Sequence, residues 1–374
     1  MVAPPENRQR IERLTPLADV LRRIGECVAP VIPRDMRAAA ALGATLAQDI
    51  VAADRRPTEP LALIDGWAVL AETTTDAGGY APVMLPDVRE IAVGEMLPGD
   101  SDAVAPLEAV TWRGGEGEVH AGVTAGEGVL MPGTDAGAGE MLRRAGHRLR
   151  AIDVAAMQAL GIVGARARKP RVRVARGGRG RDDIADAASD WLAYAIAADG
   201  GEPVVSRPGP AADALLSAGG VDAVVMVGGT GAGRRDDIVH ALTRIGTVEA
   251  HGIAVSPGET AAFGVAASRP VLLVPGRLDA AVAMWMLIGR TMLARLRGGI
   301  ENDSSREGVL AGKVASTVGL AELVLVRCVP DGVEPLASKY LPLATLTQAD
   351  GWIVIPAESE GLPPGAQVTV RPLP

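Results

Sequence analysis

The chain has 374 residues, 48% of them hydrophobic and 22% charged, the balance of a globular protein with enough chain for several cores. A formal net charge of −8, a single Phe and only 2% aromatic residues disfavour a nucleic-acid partner, which needs a basic surface and stacking platforms. No uncharged run approaches the roughly 20 residues of a membrane span, and charges scattered through the first residues leave no apolar signal core, so no membrane partner and a cytoplasmic location are expected.

Leu17, Val20, Leu21, Ile24 and Val28 recur at three- and four-residue spacing and predict an amphipathic helix within residues 15–30, stopped by Pro30 and Pro33. Residues 38–53, AAAALGATLAQDIVAA, predict a second, Ala-rich helix. From Pro57 to Pro132 short apolar runs alternate with Gly and Pro clusters, the texture of a small β-rich unit. Residues 151–161 return to helical spacing and lead into the basic segment GARARKPRVRV, which marks a boundary.

From Arg171 strands and helices alternate. RVRVA, EPVVS, VDAVVMV and RPVLLVPG read as strands, with VDAVVMV central. DDIADAASDWLAYAIAADGG, PAADALLSAGG, DIVHALTRIG and the long apolar LDAAVAMWMLIGRTMLARL read as helices. From about Gly308 the runs VLAGKVAS, AELVLVRCV, DGWIVIP and AQVTVRPL describe a small all-β unit. The expected fold is therefore multidomain α/β: a helical linker unit (1–56 and 143–168), a β-rich unit (57–142), a doubly wound α/β domain (169–302) and a C-terminal small β-barrel (303–374).

The segment Gly228–Asp237, GGTGAGRRDD, directly follows the apolar run Val221–Val227. Open α/β sheets bind ligands at the carboxyl ends of their strands. Gly228, Gly229, Gly231 and Gly233 permit a tight turn with free N–H groups, and the pair Arg234 and Arg235 favours an anion such as phosphate. The same residues also fit an ordinary strand-to-helix turn with Asp236 or Asp237 as N-cap. His120, His147, His240 and His251 are isolated, as are Cys27 and Cys328, so any metal would sit on carboxylates.

Several separated segments together resemble the molybdopterin molybdenumtransferases (MoeA and the gephyrin E domain). AAAALGATLAQDIVAADRRPTEPLALIDGWAV (residues 38–69) is similar to "AlGrvLAedv...DGYAV", and IAVGEMLPGDSDAVAPLE (91–108) to "ImTGAplPeGaDAVv..E". Residues 221–239 resemble "aDvvitsGGvSvGdyD.v". AVSPGETAAFGVAASRPVLLVPGRLDAAVA (254–283) resembles "kPGkPlafG...pvfgLPGNPvSa", and LATLTQADGWIVIP resembles "l.sla.AnGlivlp". These matches run over essentially the whole chain. The loop GGTGAGRRD is closer to the "GGTG..xRD" of the MogA-type adenylyltransferases, which share the molybdopterin-binding α/β domain.

The resemblance implies a molybdopterin-binding protein of molybdenum cofactor biosynthesis. Its ligands would be molybdopterin or its adenylated form and molybdate, with AMP released in a cleft between the α/β domain of one subunit and the β-rich domain of a homodimer partner. It implies a phosphate cradle of Gly228, Gly229, Thr230, Gly231, Gly233, Arg234, Arg235 and Asp236, flanked by Pro275, Gly276 and Arg277, with Asp65 as the catalytic candidate. The chain departs from the pattern where acids are expected: Gly178, Arg179 and Gly180 replace GDEL, and Arg234 replaces the Asp of "GdyD". Val93 stands for the Thr of "TGA", and Arg277 and Leu278 for the Asn and Pro of "PGNP". The site becomes more positive, which suits anions and deprives Mg²⁺ of oxygen ligands, so no metal residues are assigned. A second reading is a catalytically degenerate member acting as carrier, scaffold or regulator.

Overall fold

The computed structural model describes residues 9–177, 182–206, 219–233, 236–300 and 304–374. It divides into two units, Met1–Gln48 with Ala145–Ala155 and Val163–Pro374, and Asp49–Arg144 with Ala156–Ile162.

In the first unit the N-terminal helix α1 (Leu17–Cys27) buries Val20 and Ile24, two positions of the predicted apolar stripe. The α/β region then runs β1 (Arg171–Arg176), α2 (Asp183–Ala198), β2 (Glu202–Val205), β3 (Ala223–Val227), α3 (Ile238–Ile245), β4 (Gly246–His251), β5 (Ala262–Ala266) and β6 (Arg269–Val274). The sheet order is β2-β1-β3-β6-β5-β4. Its first four strands are parallel, while β5 and β4 close the edge in antiparallel pairing.

β3 is apolar throughout because both its faces are covered. Ala223, Val225 and Val227 enter the core shared with α2, and Val224 and Met226 enter the core shared with α3. The expected helix over PAADALLSAGG falls largely outside the described residues.

After β6 the chain forms α4 (Leu278–Met284), one π-helical stretch (Trp285–Gly289) and α5 (Arg290–Arg297) as a continuous rod. Trp285 is fully buried and donates from Nε1 to Asp199 Oδ2 at 2.9 Å; Arg290 meets the other oxygen of Asp199 at 3.3 Å.

One expected helix is not formed. Residues 38–53 are not helical: turns over 38–43 lead into strands Thr45–Leu46 and Ile50–Val51. Gly43 takes φ +76° and its amide bonds to Leu149 O, while Thr45–Leu46 pairs with Ala167–Arg168. Burial of Ala41, Ala44 and Leu46 in this arrangement outweighs the helix propensity of the alanines. The basic segment contains strand Gly164–Arg168, which also pairs with Arg34–Arg37.

At the C-terminus Ala321–Val329 pairs with Gly332–Ala337 and Gly351–Ile355; Gln367–Pro372 joins Gly351–Ile355 to Arg306–Val309. A parallel bridge from Leu310 to Val333 closes this sheet on itself around Val324, Val326, Ile353, Ile355 and Val370. In the second unit Gly66–Val69 lies between Arg89–Ile91 and Ala103–Pro106 in an antiparallel sheet, and Val110–Arg113, Glu116–Val119 and Val83–Leu85 form another. Among the described residues no helix is long and apolar enough to cross a membrane.

Candidate functional site

Three glycines meet at the carboxyl edge of the α/β sheet, where β1, β3 and β6 end. A Cβ on Gly177 would lie 2.7 Å from Gly228 O, and one on Gly276 would lie 3.5 Å from Gly228 Cα. The chain leaves β1 for β2 on one side and returns to β3 on the other, so this edge is the topological switch point, where open α/β sheets take ligands. Gly228 and Gly229 have φ of +86° and +79°, a backbone that side chains resist, and this turns the chain sharply off β3.

The loop is fixed from several sides. The side chain of Thr230 is buried against Thr260, with the two hydroxyls 3.0 Å apart, and Thr230 O lies 3.1 Å from His251 Nε2. Asp236 Oδ2 accepts from the Gly233 amide at 2.8 Å, so its carboxylate folds back onto the loop. Asp237 occupies the N-cap position of α3 without a side-chain cap bond. The acceptor there is Gln9, whose Oε1 takes the amides of Val239 at 2.7 Å and His240 at 3.2 Å.

Pro275, Gly276 and Arg277 lead from β6 into α4, with Arg277 at the N-cap position. The Arg277 guanidinium donates to both oxygens of Asp279, through Nε at 3.0 Å and through a terminal nitrogen, and lies 5.2 Å from the centre of the Tyr340 ring. The hydrogen bond to Asp279 raises the Arg277 pKa, and the charges of Asp279 and Glu259 add to it. Asp279 is only 4% exposed and also accepts from the Leu341 amide at 3.4 Å. The charge that the sequence offers to an anion at Arg277 is therefore partly spent on an acid of its own helix.

Asp65 belongs to the second unit, at the start of strand Gly66–Val69, and is exposed. Its Oδ1 accepts the Val93 amide at 2.7 Å, tying its loop to the turn after Arg89–Ile91. Arg179, Arg234 and Arg235 lie outside the described residues, as do Gly178 and Gly180. Among the described residues no group of three His, Cys, Asp or Glu side chains could hold a metal ion. Asp236 and Asp279, beside the loop and the β6 turn, accept hydrogen bonds from Gly233 and Arg277.

Three family models match successive parts of the chain: the MoeA N-terminal region (domains I and II) over residues 8–161, the probable molybdopterin binding domain over 171–295, and the MoeA C-terminal region (domain IV) over 307–373. The chain belongs to the MoeA-like molybdopterin molybdenumtransferase family. Molybdopterin molybdenumtransferase 1 of Mycobacterium tuberculosis is 26% identical, covering 91% of this chain and 95% of its own. Molybdopterin molybdenumtransferase 2 of the same organism is 25% identical, covering 88% and 92%. The crystal structure of the molybdopterin biosynthesis MoeA protein of Pyrococcus horikoshii is 27% identical, with a TM-score of 0.67 over 96% of this chain and 99% of that one.

In this MoeA-like chain the structure brings together Gly228–Gly233, Asp236 and the Pro275–Arg277 turn at one sheet edge. Gln9, Thr260, His251 and Asp279 also support that edge, and the sequence reading assigned none of them there. A lone Gln in a polar N-terminal stretch carries no periodic signal. Asp279 had one, since an acid in the first turn of a helix behind an arginine is a ready ion-pair partner.

Proposed function

We propose that this chain binds molybdopterin at the carboxyl edge of its α/β sheet and, as a cytoplasmic homodimer, inserts molybdate into adenylated molybdopterin with release of AMP. Its role in molybdenum cofactor biosynthesis follows from its family. The observation that supports the site assignment is the close backbone packing of Gly177, Gly228 and Gly276 at the switch point, from which the left-handed turn at Gly228 and Gly229 sends the glycine loop out at the carboxyl edge of the sheet. Incubating the purified protein with adenylated molybdopterin, molybdate and Mg²⁺ tests it: stoichiometric binding with AMP release supports the transferase reading.

A second reading has support of its own. Asp236 and Asp279 are engaged by Gly233 and Arg277, which favours a member that binds the pterin without turning it over. The same incubation would then give molybdopterin binding and no AMP. A protein that binds no pterin at all sinks both readings.

A further inference from the structure

Gln9 precedes the first helix by eight residues in sequence, yet it is 2% exposed and packed under the loop that follows β3, more than 200 residues further on. Its carboxamide is fully used. Nε2 donates to Gly229 O at 3.0 Å and to Gly231 O at 2.8 Å, while Oε1 accepts from the amides of Val239 and His240. Two donors and one two-lone-pair acceptor are the whole capacity of a Gln side chain. Only one orientation of the amide fits, because carbonyls can only accept and N–H groups can only donate.

The consequence follows from the planarity of the peptide. In a trans peptide the N–H points opposite to the C=O. Drawing the carbonyls of Gly229 and Gly231 onto Gln9 turns the amides of Thr230 and Ala232 away from it, toward the opposite side of the loop. Capping Val239 and His240 at the same time withdraws the first turn of α3 from any ligand. Gln9 thus decides which N–H groups are available and which are not.

We infer that Gln9 is a positioning residue, which holds the Gly228–Gly233 loop in the shape that presents the Thr230 and Ala232 amides to a phosphate. This inference rests on the reading of that loop as the molybdopterin site.

The two ends of the side chain can be tested separately. Gln9→Glu keeps an acceptor for Val239 and His240 but sets a carboxylate oxygen against the carbonyls of Gly229 and Gly231. A carboxylate at a helix N-terminus is favourable, so α3 is retained. The expected result is a protein that still unfolds cooperatively, though at a lower temperature, a molybdopterin dissociation constant raised about tenfold or more, and faster amide hydrogen exchange in residues 229–233 with α3 still protected. Gln9→Leu removes both ends and is expected to speed exchange in the loop and in the first turn of α3 together. Wild-type binding with a Gln9→Glu variant equal to it in affinity and loop exchange would overturn the inference alone. A wild-type protein that binds no molybdopterin would overturn the functional reading and this inference with it.

Discussion

The Asp236 carboxylate accepts the Gly233 amide at 2.8 Å and lies against the loop it closes; a Cβ on Gly231 or Gly233 would come within 2.8 or 2.9 Å of the same oxygen. One of the amides that could face a phosphate is therefore answered by a negative charge of the chain itself. Asp236→Asn keeps an acceptor for Gly233 and removes that charge. Molybdopterin affinity is expected to rise about threefold to tenfold at low salt, and the gain should shrink as salt screens it. Titrations at two ionic strengths measure this. A loss of affinity would mean that the carboxylate contacts the ligand or its metal.

Arg277 and Asp279 make an ion pair at this edge. The acid is buried while the arginine side chain is 60% exposed, so solvent screens part of the attraction. Arg277→Ala should cost about 1 kcal/mol, less than a fully buried pair, and lower the melting temperature by about 2–4 °C. Adding Asp279→Asn should recover part of that loss, because the uncompensated buried charge disappears. Calorimetry on the single and double variants checks it; a double variant less stable than Arg277→Ala contradicts the pairing.

The α/β core was legible because its signals are local. Ala223–Val227 is apolar at every position, and the stripe of α1 falls at helical spacing. β4 and β5 were missed: GTVEAH and AFGVA are short and small, and they become strands by pairing with each other and with β6. The helix expected over 38–53 failed for the opposite reason, since a strong local propensity met a pairing partner, Gly164–Arg168, more than 100 residues away. At the site, the glycines were readable as a turn. Gln9 was not, because its meaning lies in contacts across 220 to 231 positions of sequence.

Glu127 gives a pH-dependent feature in the unit that carries Asp65. Its Oε2 accepts both the amide and the hydroxyl of Thr124, at 2.9 and 3.0 Å, and these bonds hold its pKa below the ordinary glutamate value. A depressed carboxyl pKa means that the stabilisation is complete above the unfolded-state value and is lost as pH falls through the lowered folded value. The Gly128 carbonyl at this turn accepts the Leu63 amide, two residues before Asp65. Amide exchange at Thr124 is therefore expected to accelerate, relative to the intrinsic rate, as the pH drops below the usual glutamate range. A Glu127→Gln variant should show no such acid transition; an identical transition in it assigns the effect elsewhere.

Trp285 and Asp199 join the long helical rod to the end of α2, since Asp199 is the C-cap residue of α2 and accepts the indole N–H. Trp285→Phe leaves a buried carboxylate short of one donor and a cavity beside it, which should cost about 2–4 kcal/mol. The urea midpoint reports that loss. Arg277 lies eight residues earlier, about two turns along the rod, and its bonds to Asp279 do not pass through Trp285. Molybdopterin affinity measured well below the unfolding midpoint should therefore stay within about twofold of wild type. A large loss of affinity in a folded Trp285→Phe protein would show that the rod transmits its packing to the sheet edge, and that the site depends on this buried pair as well as on its own loop.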